Sequence, residues 1–396
     1  MTAPTIEPGL NPTDPAHRPD PHPLYHRLRE HAPVYRFIGP ATGRTFWFLT
    51  RYADVQQALK DPALSREADR LPDELAGSPV EMVNRHLLNL DPPDHTRLRR
   101  LMTPAFGART IAGLRPRVQQ ITAGLLDAMA AAGGEVDLID TVALPLPVTV
   151  IAELIGVPID DRAQFRTWVD ELLRGEPEVV RRAAGQFVPY LTGQIEHRRA
   201  SPGEDLLSQL IQVEEAGDRM SHVELLSSVF LLLIAGHETT VNLIGNGVLE
   251  LLRHPDQLAL LRARPELVDS AVEEILRYNG PVEWALPRYA LAEVAFGDTV
   301  VARDDILLPV LHAANRDPAA FPEPDTFDIT RDPNRHLAFG HGIHFCLGAP
   351  LARLEGRIAV GALVRRFPDL SLAVDPAQLE WNPGSLRGVR RLPVRV

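Results

Sequence analysis

The chain has 396 residues, a formal net charge of −11, 45% hydrophobic residues and a single cysteine. The acidic balance disfavours nucleic acid as a partner, and one cysteine excludes an intrachain disulfide and fits a reducing compartment. The proline-rich N-terminus lacks the apolar segment of a signal peptide, and the longest central apolar run, residues 229–235, is too short to span a bilayer, so we expect a cytoplasmic protein that is not in a membrane.

The first third of the chain mixes short helices with strands. A proline-rich meander occupies about residues 1–22, after which PLYHRLREH predicts a helix. The runs VYRFI and TFWFLT are typical of β-strands separated by a turn region, GPATGR. RYADVQQALKD predicts a second helix. Residues 64–90 combine charge with proline and glycine, which indicates a loop.

Helical patterns then dominate up to about residue 279. They run from residue 93 to about 198 and continue into one long segment from 221 to about 253, which Ser221 and Glu224 open with the spacing of a capping box. At about 1.5 Å per residue this helix would span roughly 50 Å. It is apolar on all sides through VFLLLIA, which predicts burial.

The last third returns to strand patterns. PRYALAEVAF, TVVARDDILLPV, LSLAV and RRLPVRV predict strands, interrupted by one helix. The predicted fold class is therefore α+β and mostly α-helical, with small β-sheets near both ends. We expect residues 1–396 to form a single domain, because no linker or low-complexity stretch divides them.

The most informative stretch is the cysteine loop, HLAFGHGIHFCLGAPLARLEGRIAV. A lone cysteine in apolar surroundings is more often a buried small hydrophobe than a ligand. Here Gly340, Gly342 and Gly348 surround Cys346, and glycine permits unusual backbone angles and close approach to a flat ligand. A helix beginning just after Cys346 would place its thiolate against free N–H groups and the positive end of the helix dipole, which lower a cysteine pKa.

A second motif, AGHETT, interrupts the apolar long helix at residues 235–240. One interpretation is a core helix that happens to contain glycine and threonine. Against it, burying a carboxylate and hydroxyls costs several kcal/mol unless they find partners. Gly236 and a threonine bonded to the carbonyl four residues earlier would loosen the helix and leave room for dioxygen and water.

Together these stretches resemble the cytochrome P450 family, in its soluble bacterial branch. The chain matches the family's haem-binding signature, Phe-Gly-x-Gly-x-His-x-Cys-x-Gly, and AGHETT is similar to its oxygen-activation motif. DPPDHTRLRR, EEILR, HAANRDP and FDITR also follow in the family's order. The matched signature positions are Phe339, Gly340, Gly342, His344, Cys346 and Gly348.

The resemblance implies a P450 fold with haem b between the long helix and the cysteine-loop helix. Cys346 would be the axial thiolate and Phe339 its shield, while Thr239 would hydrogen-bond the oxygen being activated and Glu238 would relay protons. The other residues implied at the cofactor are His95, Arg99, Arg288 and His344 at the propionates, with Ala235, Gly340 and Gly348 against the ring.

Several charged residues have two interpretations. Glu274 and Arg277 share one helix face and alone would suggest a surface ion pair; the resemblance makes them a structural triad with Arg331. Arg97 and Arg100 are either a solvated basic face or part of a positive patch that docks an acidic ferredoxin.

The implied reaction inserts one oxygen atom from O2 into a C–H or C=C bond of an apolar small molecule, by hydroxylation or epoxidation. Substrates could be natural products such as polyketides, macrolides, terpenoids or steroids, with electrons from a ferredoxin and its reductase, and we expect a monomer. The predicted pocket residues are Ile234, Val282, Trp284, Leu286 and Leu386. Trp284 could equally pack beneath the strand. A peroxide-driven peroxygenase and a non-catalytic haem-binding module are the alternatives.

Overall fold

The structure is a computed structural model that describes residues 9–39, 42–67, 85–174, 176–203, 205–215 and 220–396. Its first elements follow the predicted order. Two helices, His22–His31 (α1) and Tyr52–Lys60 (α2), flank the antiparallel strands Val34–Ile38 (β1) and Thr45–Leu49 (β2). Both strands coincide with the apolar runs that predicted them.

The segment predicted as a loop, residues 64–90, begins differently. Leu64–Ser65 forms a strand (β3), and Leu87–Asn89 forms a turn of 3₁₀-helix, whereas residues 68–84 lie outside the described residues. The prediction of a loop was therefore wrong for residues 64 and 65, because they pair as a strand with a distant segment of the chain. Leu64 pairs with Ala290 and Ser65 with Tyr289.

The main sheet collects strands from both ends of the chain. After Glu135–Asp137 (β4), the strands are Arg288–Ala290 (β5), Val294–Phe296 (β6), Thr299–Val301 (β7), Ile306–Pro309 (β8), Ser371–Leu372 (β9) and Pro393–Arg395 (β10). The five-stranded sheet has the order β1-β2-β8-β5-β3, β10 lies between β4 and β9, and β6 pairs with β7. β2 and β8 are parallel, and β5 is antiparallel to both its neighbours.

The remaining helices carry most of the core. They are Asp94–Met102 (α3), Ala108–Ala132 (α4), Pro145–Ile155 (α5), Arg162–Arg174 (α6), Pro177–Ala200 (α7), Leu206–Glu215 (α8), His222–Arg253 (α9), Pro255–Ala263 (α10), Val268–Asn279 (α11), Leu311–Asn315 (α12) and Ala349–Arg366 (α13). The α+β class, mostly α-helical, is confirmed.

The long helix α9 is the centre of this arrangement. It begins after Ser221, whose hydroxyl accepts from the Glu224 amide at 3.2 Å while the Glu224 carboxylate accepts from the Ser221 amide at 2.7 Å, so the predicted capping box is confirmed. The helix packs against α5, α11 and α13. Each apolar side chain buried there contributes about 1.5–3 kcal/mol, and this packing fixes α9 beside the cysteine loop.

One helix in the described part of the chain has the length and apolar character of a membrane span, and it is α9. Within its most apolar window, 72% is buried inside the protein. Its hydrophobicity is therefore that of a core helix, as the sequence predicted.

Candidate active site

A cavity lies between α9 and the cysteine loop, and apolar side chains form most of its wall. Thr239 lines it from the helix and Cys346 from the loop, so the two motifs meet at one space. Val282 and Leu286 line it from the segment before β5. The other predicted site residues on its wall are His95, Arg99, Ala235, Arg288, Phe339, Gly340, His344 and Gly348.

The backbone of the cysteine loop is shaped by two glycines. Gly340 and Gly342 have φ values of 74° and 73°, in the left-handed region that favours glycine. A Cβ on Gly342 would also lie 2.8 Å from the Leu59 carbonyl oxygen of α2. Gly348 has φ −82°, so its backbone does not require glycine, and a Cβ there would lie 4.0 Å from the Cys346 sulfur. Its small size instead keeps the space beside the sulfur open.

Cys346 is fixed in the loop by its own backbone, and its side chain is exposed to the cavity rather than to bulk solvent. Its amide donates to the Phe339 carbonyl at 2.9 Å. Burial raises the pKa of the Cys346 thiol, while the amides of Gly348 and Ala349 and the Arg99 guanidinium oppose that shift. The predicted contribution of the amides at the start of the helix is confirmed, but burial outweighs it, so the net shift of the Cys346 pKa is upward.

Two arginines frame the sulfur side of the cavity. Arg99 Nη1 donates to the Phe345 carbonyl at 2.6 Å; burial lowers the pKa of the Arg99 guanidinium, and the nearby Cys346 thiol opposes this. Arg353 lies 4.5 Å from the centre of the Phe339 ring and donates twice to Glu273 at 2.7 Å. Phe339 is therefore held in place on the sulfur side, as expected of a shield.

A cationic pocket forms at the rim of the cavity near Arg99, whose charge acts on both His95 and His344. The rings of His95 and His344 lie 4.3 Å apart, and none of their four nitrogens has a hydrogen-bond partner among the described residues. Burial lowers the pKa of both imidazoles, with Arg288 contributing next at His344, whose pKa falls to about 2. Burial likewise lowers the pKa of the Arg288 guanidinium to about 9.

Arg66 also lines the cavity at this pocket, although it was not among the predicted site residues. Its guanidinium donates to the Leu88 carbonyl at 3.0 Å and to the Asn89 side chain at 3.1 Å, and it adds to the positive charge around Arg288. Arg66 directly follows β3, and the antiparallel pairing of β3 with β5 brings it towards Arg288. That pairing joins segments that are distant in the sequence, so no local motif indicated that Arg66 belongs to the site.

The oxygen-motif residues sit on an unbroken helix. Thr239 donates to the Ala235 carbonyl at 2.8 Å and Thr240 to the Gly236 carbonyl at 3.2 Å. The predicted bond from threonine to the carbonyl four residues earlier is confirmed, but the predicted loosening of the helix is wrong, because α9 is α-helical throughout.

Two other residues of the motif have different surroundings. Gly236 makes room for Ile151, whose Cδ1 would lie 3.3 Å from a Cβ added to the glycine. Glu238 is half-buried and does not line the cavity.

Three predicted pocket residues lie away from the cavity wall. Trp284 packs with its ring centroid 6.1 Å from Phe48, with the Arg18 guanidinium 5.7 Å from its ring, so it supports the sheet. Ile234 packs against the main core, and Leu386 pairs with Val282 in an isolated β-bridge behind the wall. Helix and strand geometry turns these side chains away from the cavity.

The Glu274 triad is buried, not a surface ion pair. Arg277 donates to both Glu274 carboxylate oxygens at 2.7 Å, and both side chains are fully buried. Arg331 reaches Glu274 at 3.2 Å. Arg277 also donates to the carbonyls of Asn315 and Pro324, which ties α11 to the segment leading into the cysteine loop.

The residues present fit a haem group. In the described part of the chain, no cluster of three or more His, Cys, Asp or Glu residues could hold a metal ion, so Cys346 would supply one ligand to a metal that brings others with it. The buried, unpartnered imidazoles and Arg288 are suited to carboxylates, which the cavity wall itself does not offer. A flat, apolar macrocycle with two carboxylates meets both conditions.

The chain belongs to the cytochrome P450 family, whose family model matches residues 165–264 and 260–383. It is 50% identical to cytochrome P450 107B1 of Saccharopolyspora erythraea over 98% of both chains. It is 48% identical to cytochrome P450 monooxygenase PikC of Streptomyces venezuelae, over 95% of this chain and 91% of PikC. The solved structure of the bacillaene polyketide synthase P450 PksS of Bacillus subtilis superposes with a TM-score of 0.92 at 41% identity, covering 98% and 99% of the two chains.

This membership makes the chain a monooxygenase that acts on a small molecule and O2, with haem held by a cysteine thiolate as its cofactor. The resemblance noted in the sequence is thereby confirmed at the level of family, cofactor and reaction class.

Proposed function

We propose that the chain hydroxylates or epoxidises an apolar natural product of the polyketide or macrolide kind. The apolar wall of the cavity supports this class of substrate. So do two similar proteins, the polyketide biosynthesis cytochrome P450 PksS of Bacillus subtilis and the 6-deoxyerythronolide B hydroxylase of Saccharopolyspora erythraea. Terpenoids and steroids have the same apolar character and belong in the same test panel.

We propose Cys346 as the axial ligand, since the family's haem needs a cysteine and the chain has one. When bound, the haem supplies the activation of dioxygen. Arg99, Arg288, His95 and His344 would hold its carboxylates. Phe339 would keep water from the sulfur, which preserves its electron donation.

Thr239 and Glu238 are the proposed acid–alcohol pair. The Thr239 hydroxyl lines the cavity and donates its own hydrogen to the Ala235 carbonyl at 2.8 Å, so its oxygen can accept a hydrogen bond within the cavity. Glu238, the preceding residue on the helix, would pass protons to this site. One oxygen atom then enters the substrate and the other leaves as water.

We propose that electrons come from a ferredoxin with its reductase, because the chain has no other cysteines for an iron–sulfur cluster. Arg97 is paired with Glu224, which argues against its being part of a docking patch. Arg100 is exposed on α3, and a groove between α4 and α13 is lined by Arg115 and Arg365. Arg357 lies in the same groove but is paired with Asp269 at 3.2 Å, which argues against it as it does against Arg97. The guanidinium groups of Arg100, Arg115 and Arg365 suit an acidic partner.

Three broader predictions accompany the proposal. The chain would act as a monomer, as a single domain over residues 1–396, and in the cytoplasm. Size-exclusion chromatography with light scattering, limited proteolysis and fractionation of the host cell would test them in turn.

The single observation that carries the proposal is that Cys346 and Thr239 line the same apolar cavity. Purified protein is supplied with candidate substrates and with NAD(P)H, reductase and ferredoxin, with peroxide alone, or with neither. Product in the first mixture supports the proposal. Product with peroxide alone supports a peroxygenase, and spectral binding without product supports a binding module.

The ligand assignment has its own test. Cys346→Ser should abolish the red-shifted Soret band of the ferrous–CO complex, and Ser65→Ala, a hydroxyl change on β3 outside the cavity wall, should leave it in place. An unchanged band in Cys346→Ser would contradict the assignment.

A further inference from the structure

Three polar side chains follow Thr239 along the buried helix α9. Asn242, Asn246 and Glu250 are four residues apart, so they lie on one face of the helix. Each is at most 2% exposed. Thr239 precedes Asn242 by three residues and continues the same face towards the cavity. A polar row of this kind is unexpected in the central helix of a hydrophobic core.

Each member of the row has one polar atom without a hydrogen-bond partner among the described residues. These atoms are Asn242 Nδ2, Asn246 Oδ1 and Glu250 Oε2. The other ends of the Asn246 and Glu250 side chains are fixed by hydrogen bonds. Asn246 Nδ2 donates to the carbonyls of Asn279 at 3.0 Å and Arg387 at 2.9 Å, and Glu250 Oε1 accepts from the Asn279 amide at 2.7 Å.

The chain also makes room for this row. A Cβ on Gly388 would lie 1.9 Å from Asn242 Oδ1, so only glycine lets that asparagine occupy its position. Leaving a buried polar atom unpaired costs about 1–3 kcal/mol, and internal water is the usual partner of such atoms. Four helical residues rise about 6 Å, and one water with two hydrogen bonds of about 2.8 Å spans at most about 5.6 Å, so neighbouring members of the row need two waters between them.

The row connects two openings in the protein. At one end Thr239 lines the cavity of the cysteine loop. At the other end Glu250 lines a separate cleft beside the N-terminal segment, together with the exposed Asp20 and the half-buried His22. The carboxylate of Glu250 is therefore buried but lies at the wall of a solvent-accessible cleft.

Several charged and titratable groups face Glu250 and its cleft. Arg316 and Arg387 are buried beside the same cleft. Arg253 Nη1 and His254 Nδ1 lie 3.7 Å from the two carboxylate oxygens, too far for hydrogen bonds but close enough to stabilise their charge. His22 and His26 face the cleft from α1, and Asp325 faces it from the segment after α12.

We propose that Asn242, Asn246 and Glu250 form a hydrated proton track from this cleft to Thr239. Reducing one atom of O2 to water consumes protons, and a proton released at the Thr239 end is replaced from solvent at Glu250. The inference rests on the proposed role of Thr239 in oxygen activation. It adds a second entry for protons beside Glu238.

The test uses two variants and a matched control in the haem-loaded protein. Asn246→Leu has a side chain of similar size that cannot hydrogen-bond, and Glu250→Gln keeps the shape but not the exchangeable charge. Ser228→Ala is the control, because Ser228 is also buried on α9 and its hydroxyl is also without a partner among the described residues, but it lies on the N-terminal side of Thr239, away from the row.

The first readout is structural and independent of turnover. A high-resolution crystal structure should contain waters within hydrogen-bond distance of the three unpartnered atoms, and Asn246→Leu should lose the waters on either side of it. A dry helix face in the unaltered protein would overturn the proposal.

The second readout is the fraction of reducing equivalents that reach product, together with the solvent deuterium isotope effect. Both track variants should lose coupling several-fold and show a larger isotope effect, whereas the control should match the parent. Unaltered coupling and isotope effect in both variants would overturn the track while leaving Thr239 intact. A failed role for Thr239 would appear instead as full coupling in Thr239→Ala.

Discussion

The imidazole rings of His95 and His344 lie 4.3 Å apart, one on α3 and the other in the cysteine loop. Both are buried, and their four nitrogens lack hydrogen-bond partners in the part of the chain that the structure describes. Two such groups, with Arg288 nearby, form a site that is complete only when it receives an anion.

We therefore predict that His95→Ala or His344→Ala weakens haem retention. A hydrogen bond to a charged group is worth about 1.5–3 kcal/mol, which corresponds to a loss of haem that is roughly ten- to a hundredfold faster. The measurement is the rate of haem transfer to a scavenging globin. His197→Ala, on an exposed face of α7, is the control and should not change the rate. Unaltered transfer in both cavity variants would contradict the assignment.

Much of this site could be predicted from the sequence because its motifs are local. The glycines, Cys346 and the start of α13 are close in sequence, and the capping box of α9 needs only Ser221 and Glu224. The locations of the Arg66 and Trp284 side chains could not be predicted in this way. They are set by strand pairing and by packing against the sheet, which bring distant segments of the chain together. The direction of the Cys346 pKa shift is set by burial, which raises the pKa, and by amide donors, which lower it. A sequence pattern does not show which of these two effects is larger.

Thr239→Ala should divert reducing equivalents from product to peroxide while substrate still binds. The variant removes the hydroxyl that faces the cavity but leaves the helix intact, because its bond to the Ala235 carbonyl is not needed for α9. The measurement is the ratio of product to NAD(P)H consumed, with peroxide quantified in parallel.

Thr192→Ala is a matched control for that experiment. Thr192 is half-buried on α7 and donates to the Val188 carbonyl at 2.9 Å, so the same kind of helix bond is removed outside the cavity wall and outside the groove between α4 and α13. Its coupling should equal that of the parent. Full coupling in Thr239→Ala would mean that its hydroxyl has no part in oxygen activation or that the substrate supplies one.

Glu274→Ala should give poorly folded, haem-depleted protein. The change leaves Arg277 fully buried without its carboxylate, and removing one partner of a buried pair costs about 3–5 kcal/mol. Glu266→Ala, which breaks an exposed pair with Arg264, should leave the free energy of unfolding nearly unchanged. Denaturant unfolding measures both. A folded, merely slow Glu274→Ala enzyme would contradict a structural role.

Glu273 should make the protein sensitive to acid. Burial alone would raise the pKa of this carboxyl, but hydrogen bonds from His336 and Arg353 lower it from 4.5 to about 2. Because the folded-state pKa lies below the unfolded one, the stabilisation is complete above about pH 4.5 and is lost as the pH falls towards 2. Glu273→Gln should therefore be less stable than the parent at pH 6, and this difference should shrink at pH 3. Thermal unfolding at the two values measures it, and an equal difference at both would show that the carboxylate charge is not what stabilises this contact.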